Sequence, residues 1–340
     1  MLLTSAAVSL FASSPLANAL APVPTKDKKV VRRWALPGDP RGVAVGADGT
    51  IYVGLAETQS VAAIDPGTGA VRKHVVLDSA QIAATKELVT LRTNADRSRL
   101  YIANGTDESA LILSLPNLAV LREITMEGER IRDAVPDPKG RYVYLLGRRV
   151  HVYDKEGDTE LRTLPIDEPM AIAASANGNI LAVFATHDFG NAKATAVTLF
   201  DTKSFAVLAR DPLQTGKTID SATFAANDRS LVAFSRDELF EKAVRAGREL
   251  VNGNRVCMPE GSGPQVATLA GSDTLLVYAE RRCSASTPFP GSTRGVTPAS
   301  LYGVNAYALA YDPATGSLVG TDREGFLTIY NVPRPVQSQP

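Results

Sequence analysis

The stretch PRGVAVGADGTIYV, Pro40 to Val53, decides how the rest of the chain is read. Apolar residues alternate on both sides of Asp48-Gly49, with Val43 and Val45 before it and Ile51 and Val53 after it. An Asp-Gly between two alternating runs predicts a tight β-hairpin, because glycine takes the positive φ such turns need. Next come Val61-Ala62-Ala63-Ile64-Asp65, a turn at Pro66-Gly67-Thr68-Gly69, and a further run from Ala70 to Leu77. Four short strands within about 40 residues make one antiparallel sheet, too small to bury its own faces.

The unit recurs. Copies run from Leu88 to Ile102, Ile131 to Leu145, Pro169 to Val183, Ile219 to Ala233, Pro264 to Tyr278 and Ala306 to Gly320. Third-strand signals return in Val150 to Asp154, Ala196 to Asp201 and Leu327 to Asn331, ending in Asp or Asn, whose side chains start turns. Seven copies at a spacing of roughly 40 to 50 residues predict an all-β chain. The expected architecture is a seven-bladed β-propeller of four-stranded antiparallel blades. The last copy stops after its third strand, near Val332. The strand-like segment Lys29 to Leu36 is expected to supply the missing outer strand and close the ring, leaving no long open edge.

These units resemble the YVTN-type seven-bladed β-propeller family, whose repeat is similar to P-x-G-x-A-x-x-x-D-G-x-x-x-Y-V-x-N followed by a strand pair ending in I-D-x-x-T-G-x-V. Pro40 to Val53 and Val61 to Val71 carry the likeness, and Leu100-Tyr101-Ile102-Ala103-Asn104 resembles the name-giving tetrapeptide. The resemblance spans residues 29–332 and lacks the Gly-His and Trp-Asp dipeptides of WD40 repeats. It implies a fold that hosts lactonases, quinoprotein subunits and plain binding platforms, so function has to be read from the site.

Composition narrows the choices. The chain has 340 residues, 36 Lys and Arg against 36 Asp and Glu, and 44% hydrophobic content. That balance lacks the basic excess of a nucleic-acid binder. Leu2, Leu3, Val8, Leu10 and Phe11 form an apolar run broken at Ser13-Ser14-Pro15, and Ala17-Asn18-Ala19 fits a leader cleaved after Ala19. The run is too short to span a membrane, and no Lys or Arg precedes it. The expected organisation is a signal peptide over 1–19, a linker over 20–28, the propeller over 29–332 and a disordered tail over 333–340, in a periplasmic or secreted protein. For an exported chain the two cysteines, Cys257 and Cys283, predict a disulfide worth on the order of 3 kcal/mol. Two free buried thiols are the competing reading.

The innermost strand of each blade lines the channel, and its first residue faces one mouth. Aligned on their turns, the copies place Arg41, Val89, Arg132, Met170, Asp220, Gln265 and Tyr307 on that rim, with Asp133 and Ser221 adjacent. Arg41, Arg132, Asp133, Asp220, Ser221, Gln265 and Tyr307 suit a small anionic or peptide-like ligand, because guanidinium groups bind carboxylates bidentately. Pairing of the arginines and aspartates with each other is the alternative. His74, His151 and His187 are scattered over different blades, so no metal site is expected. No GxSxG, phosphate loop or CxxCH motif is present, so no catalytic residue and no cofactor are assigned.

Two insertions stand out. Arg236 to Val251 carries Leu239, Ala243, Ala246 and Leu250 at helical spacing, predicting an amphipathic helix in blade 5. Arg281 to Asn305 is a long loop rich in Pro, Gly, Ser and Thr; its Arg281, Arg282, Phe289, Arg294 and Tyr302 form a candidate partner surface. The expectation is an exported, monomeric, non-catalytic platform for a protein or peptide partner. A hydrolase resembling metal-dependent lactonases, or a subunit resembling quinoprotein amine dehydrogenase propellers, are the alternatives.

Overall fold

The computed structural model describes residues 20–25, 30–77, 90–103, 108–188, 193–213, 218–224, 228–235, 238–246, 249–257, 266–268, 275–277, 308–312, 314–322 and 324–331. The opening stretch folds as the hairpin its alternation dictates. Strands β2 (Pro40–Val45) and β3 (Ile51–Leu55) pair with Val43 opposite Val53. Gly49 takes φ +79°, and the Asp48 carboxylate accepts hydrogen bonds from the Thr50 amide at 3.0 Å and the Thr50 hydroxyl at 2.7 Å. Strands β4 (Ser60–Ile64) and β5 (Val71–Val76) complete the first sheet.

The same order repeats outward from the inner strand in four more sheets. The second holds β6 (Thr90–Thr93), β7 (Arg99–Ala103), β8 (Ser109–Ser114) and β9 (Val120–Thr125); the third holds β10 (Asp133–Pro136), β11 (Tyr142–Leu146), β12 (Val150–Asp154) and β13 (Glu160–Leu164). The fourth holds β14 (Pro169–Ala174), β15 (Ile180–Asp188), β16 (Lys193–Asp201) and β17 (Val207–Pro212); the fifth holds β18 (Ser221–Phe224), β19 (Ser230–Ser235), β20 (Glu238–Arg245) and β21 (Glu249–Cys257). The sixth copy contributes two described strands, β22 (Val266–Thr268) and β23 (Leu275–Val277). The last sheet takes β24 (Ala308–Asp312), β25 (Ser317–Thr321) and β26 (Phe326–Asn331), and its outer strand is β1 (Val30–Ala35), as the ring-closure reading expects. The inner strands β2, β6, β10, β14, β18, β22 and β24 neighbour one another in that order, and β24 returns to β2.

The core explains why one unit cannot stand alone. Side chains alternate across each strand, so each sheet sends one face to either neighbour. Ile51, Val53 and Leu55 pack with Leu327 and Ile329 of the last sheet, whereas Tyr52 packs with Leu100 and Ile102 of the second. Tyr101 and Ala103 turn the other way and meet Val143 and Leu145 of the third. The third and fourth sheets join through Tyr144, Val183 and Phe200, and the fourth and fifth through Phe184, Phe224 and Phe240.

The expected helix in blade 5 is not formed. Residues 238–245 and 249–257 are β20 and β21, and β20 pairs along β19 from Ser230 opposite Ala243 to Ser235 opposite Glu238. Phe240 and Val244 pack into the core shared with the fourth sheet, and the intervening Glu241 and Lys242 are buried as well. The segment is the blade's own third and fourth strands: a helix there would leave the backbone groups of β19 unpaired on one edge, a larger cost than the small loss of helical propensity. Among the described residues no helix is long and apolar enough to cross a membrane.

Candidate functional site at the channel rim

Every sheet is entered through its inner strand, so the first residues of these strands gather at one mouth. Arg41 is the second residue of β2. Its Nε and Nη2 donate to Oδ2 of Asp39 at 3.0 and 2.8 Å, and Asp39 holds φ +56°. Arg132 immediately precedes β10 and donates through Nη2 to the Gly147 carbonyl at 2.8 Å and to the Pro169 carbonyl. Because Pro169 starts β14, this guanidinium ties the third sheet to the fourth. Burial lowers the Arg132 pKa, opposed by the nearby charges of Glu168 and Glu129.

The strongest pair on this face includes a residue that sequence reasoning missed. Arg92 of β6 donates Nε to Oδ1 of Asp133 at 2.8 Å and Nη2 to Oδ2 at 2.6 Å, a bidentate fork between the second and third sheets. Asp133 Oδ1 also accepts the Ala134 amide at 2.9 Å. The Arg92 side chain is 38% accessible, and its Asp133 partner 11%. Burial opposes its charge, but the Asp133 carboxylate outweighs that and raises its pKa. A signal was available. At the matching register Ala44, Val135, Ala173, Thr223 and Ala310 stand in five of the other inner strands, none of them charged, so an arginine there departs from the pattern.

Asp220 and Ser221 lie at the start of the fifth sheet. The Asp220 amide donates to the Phe234 carbonyl at 2.7 Å, and Ser221 pairs with Phe234. Met170 accepts a contact from the Ile219 amide at 3.3 Å through its sulfur, linking fourth and fifth sheets. Val89, Gln265, Tyr307 and the proposed partner surface of Arg281, Arg282, Phe289, Arg294 and Tyr302 lie outside the described residues. So do Cys283 and the side chain of Cys257, and with them the expected disulfide.

The histidines stay apart. His74 Nε2 lies 2.7 Å from Ser60 Oγ, and burial lowers its pKa, which keeps the ring neutral. Ser60 is only 2% exposed and also meets Thr58 Oγ1 at 2.7 Å, so its hydroxyl is sealed from any substrate. His151 sits between Glu160, 2.9 Å from Nδ1, and Glu129, 3.3 Å from Nε2. The carboxylates face opposite ring nitrogens and do not converge on one ion. Among the described residues, no three His, Cys, Asp or Glu side chains form a metal-binding group.

Comparison with known proteins identifies the fold and goes no further. No family model and no curated protein matches the chain. Among solved structures, the chain is similar to Kuenenia stuttgartiensis hydrazine synthase, at 13% identity and a TM-score of 0.65 over 87% of this chain and 96% of that one. It is similar to the Myceliophteria thermophila Cps50 (Swd1) β-propeller domain, at 13% identity and 0.66 over 88% and 100%. A chain of a mitotic checkpoint complex gives 13% identity and 0.62 over 98% of each. At such low identity the shared property is the architecture: this chain has a β-propeller fold.

Proposed function

We propose that the chain is an exported, monomeric, non-catalytic seven-bladed propeller of YVTN type, serving as a platform for a protein or peptide partner at the face where the inner strands begin. One observation carries this reading. The described arginines of that rim are already engaged by the protein itself: Arg41 by Asp39, Arg92 by Asp133, and Arg132 by two backbone carbonyls. Groups held this way form a rigid, patterned surface rather than a set of free acids and bases. Propellers commonly serve in this way, and one similar structure is a chain within a mitotic checkpoint complex. The internal pairing also weighs against the small-anion ligand, since such a ligand would have to displace Asp39 or Asp133.

The test joins metal analysis to binding. Thermal melting of the purified protein is followed with divalent metals, EDTA, carboxylates and peptides; a ligand at a hundred times its Kd adds about 2.7 kcal/mol and is easily seen. The reading expects no response to metals or EDTA. It expects a partner, recovered by cross-linking in the exported compartment, that binds the wild type and loses affinity on Arg41→Ala or Asp220→Ala. Stoichiometric metal with destabilisation by EDTA would contradict it and direct attention to a hydrolase.

A further inference from the structure

The seam between the last sheet and the first has an extra layer. Residues just before β1 run antiparallel along its free edge: the Val23 amide donates to the Arg33 carbonyl at 2.8 Å, the Ala35 amide to the Ala21 carbonyl at 3.2 Å, and Pro22 bridges to Trp34. The segment continues across to the first sheet, where the Leu20 nitrogen donates to the Gly69 carbonyl at 2.9 Å. The Leu20 side chain is 7% exposed and belongs to the same cluster as Trp34, Leu36, Val43 and Leu327. Ala21, Pro22, Pro24 and Thr25 are exposed, so Leu20 is the anchor. The residue that anchors the segment is also the first one after the small-x-small run Ala17-Asn18-Ala19.

We propose that Leu20 to Val23 is a clasp completed by proteolysis. Water, delivered by an endopeptidase of leader-processing type, hydrolyses the Ala19–Leu20 peptide bond, leaving a carboxylate on Ala19 and an ammonium on Leu20. That ammonium forms where the Leu20 nitrogen already donates to Gly69, and it turns a neutral hydrogen bond into a charge-assisted one. The mature terminus then fastens the last blade to the first on the outer side of the ring, while β1 fastens them from within the sheet. The site of the cut rests on the export reading above; the clasp rests on the geometry alone.

The experiment separates the two. The full chain is expressed in a bacterium with a periplasm, and the terminus of the purified protein is sequenced. Three proteins released without extra residues from a fusion, starting at Ala17, Leu20 and Lys26, are melted alongside Leu20→Asp in the full chain. The expected terminus is Leu20. The Leu20 protein should melt roughly 3–8 °C above the Lys26 protein and no lower than the Ala17 protein, with Leu20→Asp falling by a similar amount. If the Lys26 protein does not fold, Leu20→Asp supplies the comparison. Equal melting of the Leu20 and Lys26 proteins, or no effect of Leu20→Asp, would overturn the clasp whether or not the chain is exported. An exported protein cut elsewhere would overturn the processing step alone, and an uncut protein retained in the cytoplasm would overturn the export reading with it.

Discussion

Gly69 shows how one residue couples a turn to the ring. Its φ of +72° is left-handed, and a Cβ there would lie 2.3 Å from Nε1 of Trp34. Gly69→Ala adds the left-handed penalty of about 1–2 kcal/mol to an overpacking cost of about 1–3 kcal/mol. A loss of about 2–5 kcal/mol in urea unfolding is the expected result. A second residue-scale contrast has its own control. Tyr101 and Tyr144 occupy the same register, opposite Arg92 and Val135. The Tyr144 hydroxyl is buried without a hydrogen-bond partner, and burial raises its pKa; burial raises the Tyr101 pKa too, but the neighbouring Arg99 guanidinium opposes that rise. Tyr144→Phe should therefore be neutral or stabilising, and Tyr101→Phe should cost about 0.5–1.5 kcal/mol, as compared by denaturation midpoints. At this scale the turn residues Asp48, Gly49 and Asp65 were legible from their identity. Arg92 was not, because its role depends on Asp133 of the next sheet, 41 positions away.

The strands obey turn chemistry and neighbour contacts together. Asp65 and Asp201 open turns from third to fourth strand and accept backbone amides, from Gly67 and Thr68 at 2.8 Å each and from Ser204 at 2.7 Å. The Thr68 amide, chiefly, holds the Asp65 carboxyl down to about 2, and the Ser204 amide lowers that of Asp201. A folded-state pKa below the unfolded one gives stability that is present above about pH 4 and is lost as pH falls toward 2. Urea unfolding between pH 7 and 2.5 should show that loss, and Asp65→Asn should make the acid slope shallower while lowering stability at pH 7. An equally steep slope in the variant would contradict this account. Outer strands carry a second regularity. Arg32, Lys73, Arg122 and Arg162 sit opposite Ile329, Ala63, Ile112 and Val152, and each reaches the turn of the following sheet, at the Pro66 carbonyl, the Asn117 carbonyl, Asp158 and the Ser204 carbonyl. The matching position in the fourth sheet is Ala209, opposite Leu199. These cations were visible in the sequence but unreadable without knowing which turn lies beside which strand. Blade 5 was misread for a related reason: Leu239, Ala243, Ala246 and Leu250 satisfy a helical period, and only the open edge of β19 decides for strands.

Across the whole molecule, the repeating four-stranded antiparallel unit and the ring closure were the most legible features, because both follow from a period that spans the chain. The ligand was the least legible, since it depends on which side chains face one another across the mouth. That the chain closes on itself through β1 is the central claim, and hydrogen exchange tests it most directly. In the full-length protein, followed peptide by peptide by mass spectrometry, the amides of Val30–Ala35 should be protected as strongly as those of Phe326–Asn331, with which they pair. Both segments should also lose protection together as denaturant rises, because they share one sheet. Exchange of Val30–Ala35 at the rate of an unstructured peptide, while Phe326–Asn331 stays protected, would contradict the closed ring.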